Sequence, residues 1–101
     1  MAIQSHGLSR TSEDLDVRRR KALYHAWHRG TRELDLLLGR FADAEIAALS
    51  EAELGEFEAL MEVPDRELFG WILGREPIPA ERDGGVLARI VEYAKANPLT
   101  G

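Results

Sequence analysis

Apolar side chains recur every three to four positions in five separate stretches of the chain, and a helix-stopping residue closes most of them. Leu15, Ala22, Leu23, Ala26 and Trp27 mark the first stretch. Thr11, Ser12, Glu13 and Asp14 are placed to start it, with acidic groups near the positive end of the helix dipole. Gly30 stops this helix because it accepts a left-handed backbone at little steric cost, and Thr31 offers its side-chain oxygen as a cap for the next. The second stretch, Leu34, Leu37, Leu38, Phe41 and Ala42, follows the i, i+3, i+4, i+7, i+8 rule of a buried stripe. Gly39 within it costs roughly 1 kcal/mol against alanine, which points to a close helix crossing or a local bend.

Ser50 and Glu53 form a capping box ahead of Leu54, Phe57, Leu60 and Met61, the buried face of a third helix. Pro64 and Asp65 end that helix and open a fourth, carrying Leu68, Phe69, Trp71, Ile72 and Leu73 and closed by Gly74. Residues 75–79 hold two prolines and read as a loop. Val86, Leu87, Ile90, Val91 and Ala94 then mark a last helix ending near Asn97 and Pro98, with Gly84 and Gly85 weakening its first turns. No segment alternates with period two, so the predicted class is all-α: a single-domain bundle of about five short antiparallel helices. Residues 1–13 read as a flexible tail, 14–97 as the helical domain and 98–101 as a C-terminal tail. Trp27, Phe41, Phe57, Phe69 and Tyr93 are the expected aromatic core.

The 101 residues suffice for one modest core, and 45% hydrophobic with 31% charged residues is a globular composition. No apolar run approaches the ~20 residues of a membrane-spanning helix. Cysteine is absent, which removes disulfides, thiolate catalysis and cysteine-ligated zinc. The net charge of -5 is unevenly shared: residues 1–32 carry seven Lys/Arg against three Asp/Glu, and residues 33–101 six against fifteen. A short basic patch on an acidic body fits a protein partner better than nucleic acid, whose binding rests on neutralising many phosphates. The cations Arg18, Arg19, Arg20 and Lys21 spread around the first helix at ~100° per residue, so they cannot share one face.

His25 and His28, with Glu33 and Asp35 beyond, could ligate a divalent metal, but histidine near a helix C-terminus is more often a cap. Glu33 and Asp35 diverge by ~200° on a helix and so make a poor acid/base pair. No nucleophile elbow, phosphate loop or dinucleotide fingerprint is present, so an enzyme is not expected. Trp71 reads as core or as a partner anchor, with core favoured because large aromatics are usually mostly buried. Glu51, Glu53, Glu56, Glu58 and Glu62 read as a solvated face. The most telling run is His28-Arg29-Gly30-Thr31-Arg32-Glu33-Leu34-Asp35, where charge gathers around an exposed corner between two helices. Arg29 and Glu33 could equally contact a partner or cap the two helices.

This run contains Arg29-Gly30-Thr31-Arg32-Glu33, an Arg-Gly-x-x-Glu motif directly after the first helix, continued by Leu34-Asp35. Upstream lie Arg19-Arg20-Lys21 and Tyr24-His25-Ala26-Trp27-His28. Downstream come Phe57-Glu58-Ala59-Leu60-Met61-Glu62, Pro64-Asp65 and Leu68-Phe69-Gly70-Trp71. Over residues 17–97 the chain resembles the small bacterial SdhE flavinylation factors and their mitochondrial counterparts, the succinate dehydrogenase assembly factors. The resemblance implies a non-catalytic helper that promotes covalent attachment of FAD to a histidine of the succinate dehydrogenase flavoprotein subunit, or of the related fumarate reductase subunit. It implies no stably bound cofactor, the FAD being attached to the client, and no metal. Partner contacts are expected at Arg29, Gly30, Arg32, Glu33 and Asp35, with Arg19 and Trp71 as further candidates. The expected state is a monomer or weak dimer. The compartment is the bacterial cytoplasm or, for a processed eukaryotic protein, the mitochondrial matrix. The competing reading is a helical regulatory adaptor that binds nucleic acid through Arg18 to Lys21.

Overall fold

The computed structural model describes residues 15–98. Five α-helices follow one another: α1 (Val17–Trp27), α2 (Arg32–Glu45), α3 (Glu51–Met61), α4 (Asp65–Ile72) and α5 (Gly85–Ala96). Short 3-10 turns at Ile46–Ala48 and Ala80–Arg82 add to what the periodicity predicts. Among the described residues there are no strands, and the fold is the expected all-α bundle. The proposed N-terminal tail at 1–13 and, of the proposed C-terminal tail at 98–101, residues 99–101 lie outside the described residues.

α1 starts later than the Thr11–Asp14 signal implies. Its N-cap is Asp16, whose carboxylate accepts the Arg19 backbone N–H at 2.7 Å and is held below the usual carboxylate range chiefly by that bond. α3 begins with the anticipated capping box: the Glu53 N–H donates to Ser50 Oγ at 3.1 Å, and the Ser50 N–H to Glu53 Oε1 at 2.9 Å. α5 starts at Gly85, and its first turn is capped from another helix: the Val86 N–H donates to Glu56 Oε1 of α3 at 2.9 Å.

The core lies where α1 and α2 pack on each other and α5 closes over α2, α3 and α4. Phe41 is its aromatic centre, with the Phe57 ring at 6.0 Å and the Tyr93 ring edge-on at 5.7 Å. Phe69 and Tyr93 are only partly buried, whereas Trp71 is buried and takes the place expected of Phe69. Gly39 marks a close crossing: a Cβ there would meet three Trp27 ring atoms at 2.2–2.6 Å. That indole is tied down by its Nε1–H, which donates to Asp43 at 3.3 Å.

The glutamates of α3 are more than a solvated face. Glu51 and Glu58 hold Arg18 of α1, each at 2.8 Å, and Glu53 takes Arg89 of α5 at 3.0 Å. Helix α3 is therefore the acidic post to which α1 and α5 are fastened.

Candidate functional site

The corner between α1 and α2 consists of His28, Arg29, Gly30 and Thr31. His28 ends α1, its ring stacked on Tyr24 at 3.9 Å and its Nδ1 2.8 Å from the Tyr24 carbonyl, so it serves the helix end. Gly30 has φ of 104°, where an L side chain is strained, and among the described residues no heavy atom beyond its own and its two chain neighbours' lies within 4 Å of where a Cβ would sit. The glycine is required by the backbone, and the space outside it is open.

Arg29 turns inward. Its side chain is only 8% exposed, and its Nε and Nη2 donate to Asp65 Oδ1 at 2.9 and 2.7 Å. Nη2 also donates to the Val63 carbonyl at 2.5 Å, and Nη1 to the Met61 carbonyl. Arg29, one of the residues expected to contact a partner, finds an acid and backbone carbonyls within its own chain. A buried guanidinium has to satisfy its donors, and the carbonyls at the end of α3 and in the turn after it, beside a carboxylate, do so.

Asp35 also faces the corner: its Oδ1 accepts the Arg29 N–H at 2.5 Å and the Gly30 N–H at 3.1 Å. Thr31 does not cap α2 as expected; its hydroxyl donates to Asp65 Oδ2 at 2.8 Å. Arg19, half-buried, donates to the carbonyls of Ile46 and Leu49 and pairs with Asp16. Trp71 is 8% exposed with the Arg82 guanidinium 5.7 Å over its ring, so it packs in the core rather than projecting as an anchor.

Gly30, Arg32 and Glu33 remain exposed. Among the described residues neither the Arg32 nor the Glu33 side chain has a hydrogen-bonding or ionic partner. The seven candidates thus divide: three face outward at the corner, and Arg29, Asp35, Arg19 and Trp71 serve the fold behind it. Asp65 is a member of the site that sequence reasoning misses. An aspartate after proline reads as an ordinary helix start, and nothing local signals that it reaches a residue 36 positions earlier.

The nucleic-acid reading loses its geometry. Arg18 and Arg19 are engaged by Glu51, Glu58, Asp16 and backbone carbonyls, which leaves Arg20 and Lys21 as the cations of that run without an ionic partner among the described residues, a poor phosphate-binding face. Among the described residues no three His, Asp or Glu side chains come together as metal ligands. No helix of the described residues is long and apolar enough to cross a membrane.

Comparison with known proteins bears on the whole bundle. The Sdh5 family, described as flavinator of succinate dehydrogenase, matches residues 20–94. The chain is similar to the FAD assembly factor SdhE of Acetobacter pasteurianus, at 42% identity over 90% of this chain and 84% of that protein. It is also similar to the mitochondrial succinate dehydrogenase assembly factor 2 of Dictyostelium discoideum, at 37% identity over 85% of this chain and 61% of the relative. The corresponding protein of Mycosarcoma maydis is 44% identical over 70% of this chain and 30% of its own length. The chain therefore spans less than two thirds of these two mitochondrial relatives.

Proposed function

The chain belongs to the Sdh5 family, flavinators of succinate dehydrogenase, and from that premise we propose that it is an assembly factor that promotes covalent attachment of FAD to the flavoprotein subunit of succinate dehydrogenase. The observation that carries this reading is the clamped corner, which lies within the matched region and presents the open outer side of Gly30 and the side chains of Arg32 and Glu33, which have no partner among the described residues. Related bacterial and mitochondrial proteins carry assembly-factor names, which supports a role in the bacterial cytoplasm or the mitochondrial matrix.

The bond-forming groups, a histidine nitrogen and the 8α-methyl carbon of the flavin, both belong to the client. The chain's contribution is geometric: it holds the client's domains so that these groups meet, a rate gain from positioning and preorganised electrostatics that needs no catalytic group of its own. Glu33 accepts from a client donor, Arg32 supplies a cation, and bare Gly30 lets client backbone approach closely. FAD stays on the client, a reading supported by the absence of a dinucleotide fingerprint in this sequence. The fumarate reductase flavoprotein is the second client, and the complex has one factor per flavoprotein.

The test is in-gel flavin fluorescence of the denatured flavoprotein, made with and without this chain. A band that brightens with the chain supports the proposal. Equal bands overturn it. Glu33→Ala should leave the fold intact and abolish most of the gain.

A further inference from the structure

The motif's arginine points away from solvent, so something other than direct contact must account for its place at the corner. We infer that Asp65, the first residue of α4, is a positioning residue for client recognition: with Arg29 it holds the Gly30 corner in the shape a client meets. This rests on the proposed function and deepens it.

Three consecutive residues are fixed by two carboxylates. Asp35 Oδ1 takes the backbone N–H groups of Arg29 and Gly30. Asp65 divides its oxygens: Oδ1 accepts from the Arg29 guanidinium and Oδ2 from the Thr31 hydroxyl. Asp65 therefore grips the residues on either side of Gly30, whose own outer side is open. The rest of the Arg29 guanidinium reaches the carbonyls of Met61 and Val63, so the corner is fastened to the turn between α3 and α4.

A glycine at positive φ has wide conformational freedom once its neighbours are released. Holding both neighbours removes that freedom before the client arrives, and binding then needs no further ordering of the corner. Arg32 and Glu33, which open α2 immediately after Thr31, inherit the same fixed direction. Because the device orders a binding surface and touches no reacting atom, its loss should weaken recognition of the client and leave the rate at saturation unchanged.

The experiment titrates full-length wild type, Asp65→Asn, Asp65→Ala, Glu33→Ala and the Asp65→Ala/Glu33→Ala double variant into flavoprotein and FAD. Covalent flavin is read by in-gel fluorescence, at a temperature where circular dichroism shows each variant folded. Asp65→Asn keeps an acceptor for Thr31 and guards against a misfolded alanine variant. Asp65→Ala should raise the half-saturating concentration about tenfold, and Asp65→Asn by less, with the saturated rate kept. Added to Glu33→Ala, the Asp65→Ala change should raise it by clearly less than it does in wild type, since one of the contacts it positions is already gone. Hydrogen exchange supplies the second readout: the Arg29 and Gly30 amides should exchange faster in Asp65→Ala while those of Phe57 and Ile90 keep wild-type rates.

A folded Asp65→Ala variant that titrates like wild type overturns the inference. So does a loss that multiplies in full on the Glu33→Ala background, or a loss that falls on the saturated rate. An inactive wild-type chain is a different result, for it overturns the proposed function itself.

Discussion

Two connections in this bundle handle charge in opposite ways. The corner from His28 to Thr31 is short: the Arg29 side chain turns inward to the Asp65 carboxylate of α4, and the Asp35 carboxylate of α2 takes the Arg29 backbone N–H. The connection between α4 and α5, residues 73–84, is three times as long and keeps Arg75, Glu76, Glu81 and Asp83 exposed. It is held by backbone bonds from Arg75 and Glu76 to the Gly70 carbonyl and by Arg82 lying over Trp71. Charge identity is therefore dictated by the fold in the first connection and left free in the second. In the proposed function the recognition surface is the neighbouring Arg32 and Glu33, carried outward on a corner fastened by Asp35 and Asp65.

The sharpest way to break this contrast is Arg29→Ala. It leaves the half-buried Asp65 carboxylate without a cation and two carbonyls without donors, and urea unfolding should show a loss of about 3 kcal/mol. Next come two glycines at positive φ with open space around them, Gly30 at 104° and Gly74 at 76°. Alanine at either should cost about 1–2 kcal/mol from backbone strain alone. Only Gly30→Ala should also reduce covalent flavin on the client, which separates the functional turn from the connecting one at matched strain.

Arg82→Ala removes a single contact over an indole ring and should cost only about 0.5–1 kcal/mol, seen as a small shift in tryptophan fluorescence and melting temperature. The smallest effect is on pH dependence. The Arg18 guanidinium holds the Glu58 carboxyl below its ordinary range, and the Ser50 N–H does the same for Glu53. A depressed folded-state value means that this support is complete above the ordinary glutamate range and fades as pH falls through and below it. Melting curves taken downward from about pH 5 should therefore decline, and Glu58→Gln should flatten part of the decline.

Helical periodicity made the five helices legible because each buries one stripe, and Ser50 with Glu53 announced α3 within four residues. Gly30 was equally readable, since a glycine between two amphipathic runs ends one helix before the next begins. The direction of Arg29 was not. Its partner lies 36 positions away, and an arginine beside glycine looks the same whether it faces a client or its own α4. Glu51, Glu56 and Glu58 were hidden for the same reason: their partners belong to α1 and α5, so local pattern reads them as solvation.

The cap of α5 bears on the order in which the bundle assembles. Gly84 and Gly85 give this helix a poor start of its own, and the carboxylate that completes its first turn sits on α3. α5 is therefore not a helix that forms and then docks; docking is part of what makes it a helix. During synthesis α3 emerges before α5, so closure of the core and completion of this first turn coincide. The Val86 amide is a built-in clock for that event: in pulsed exchange during refolding its protection should rise with core closure and not before.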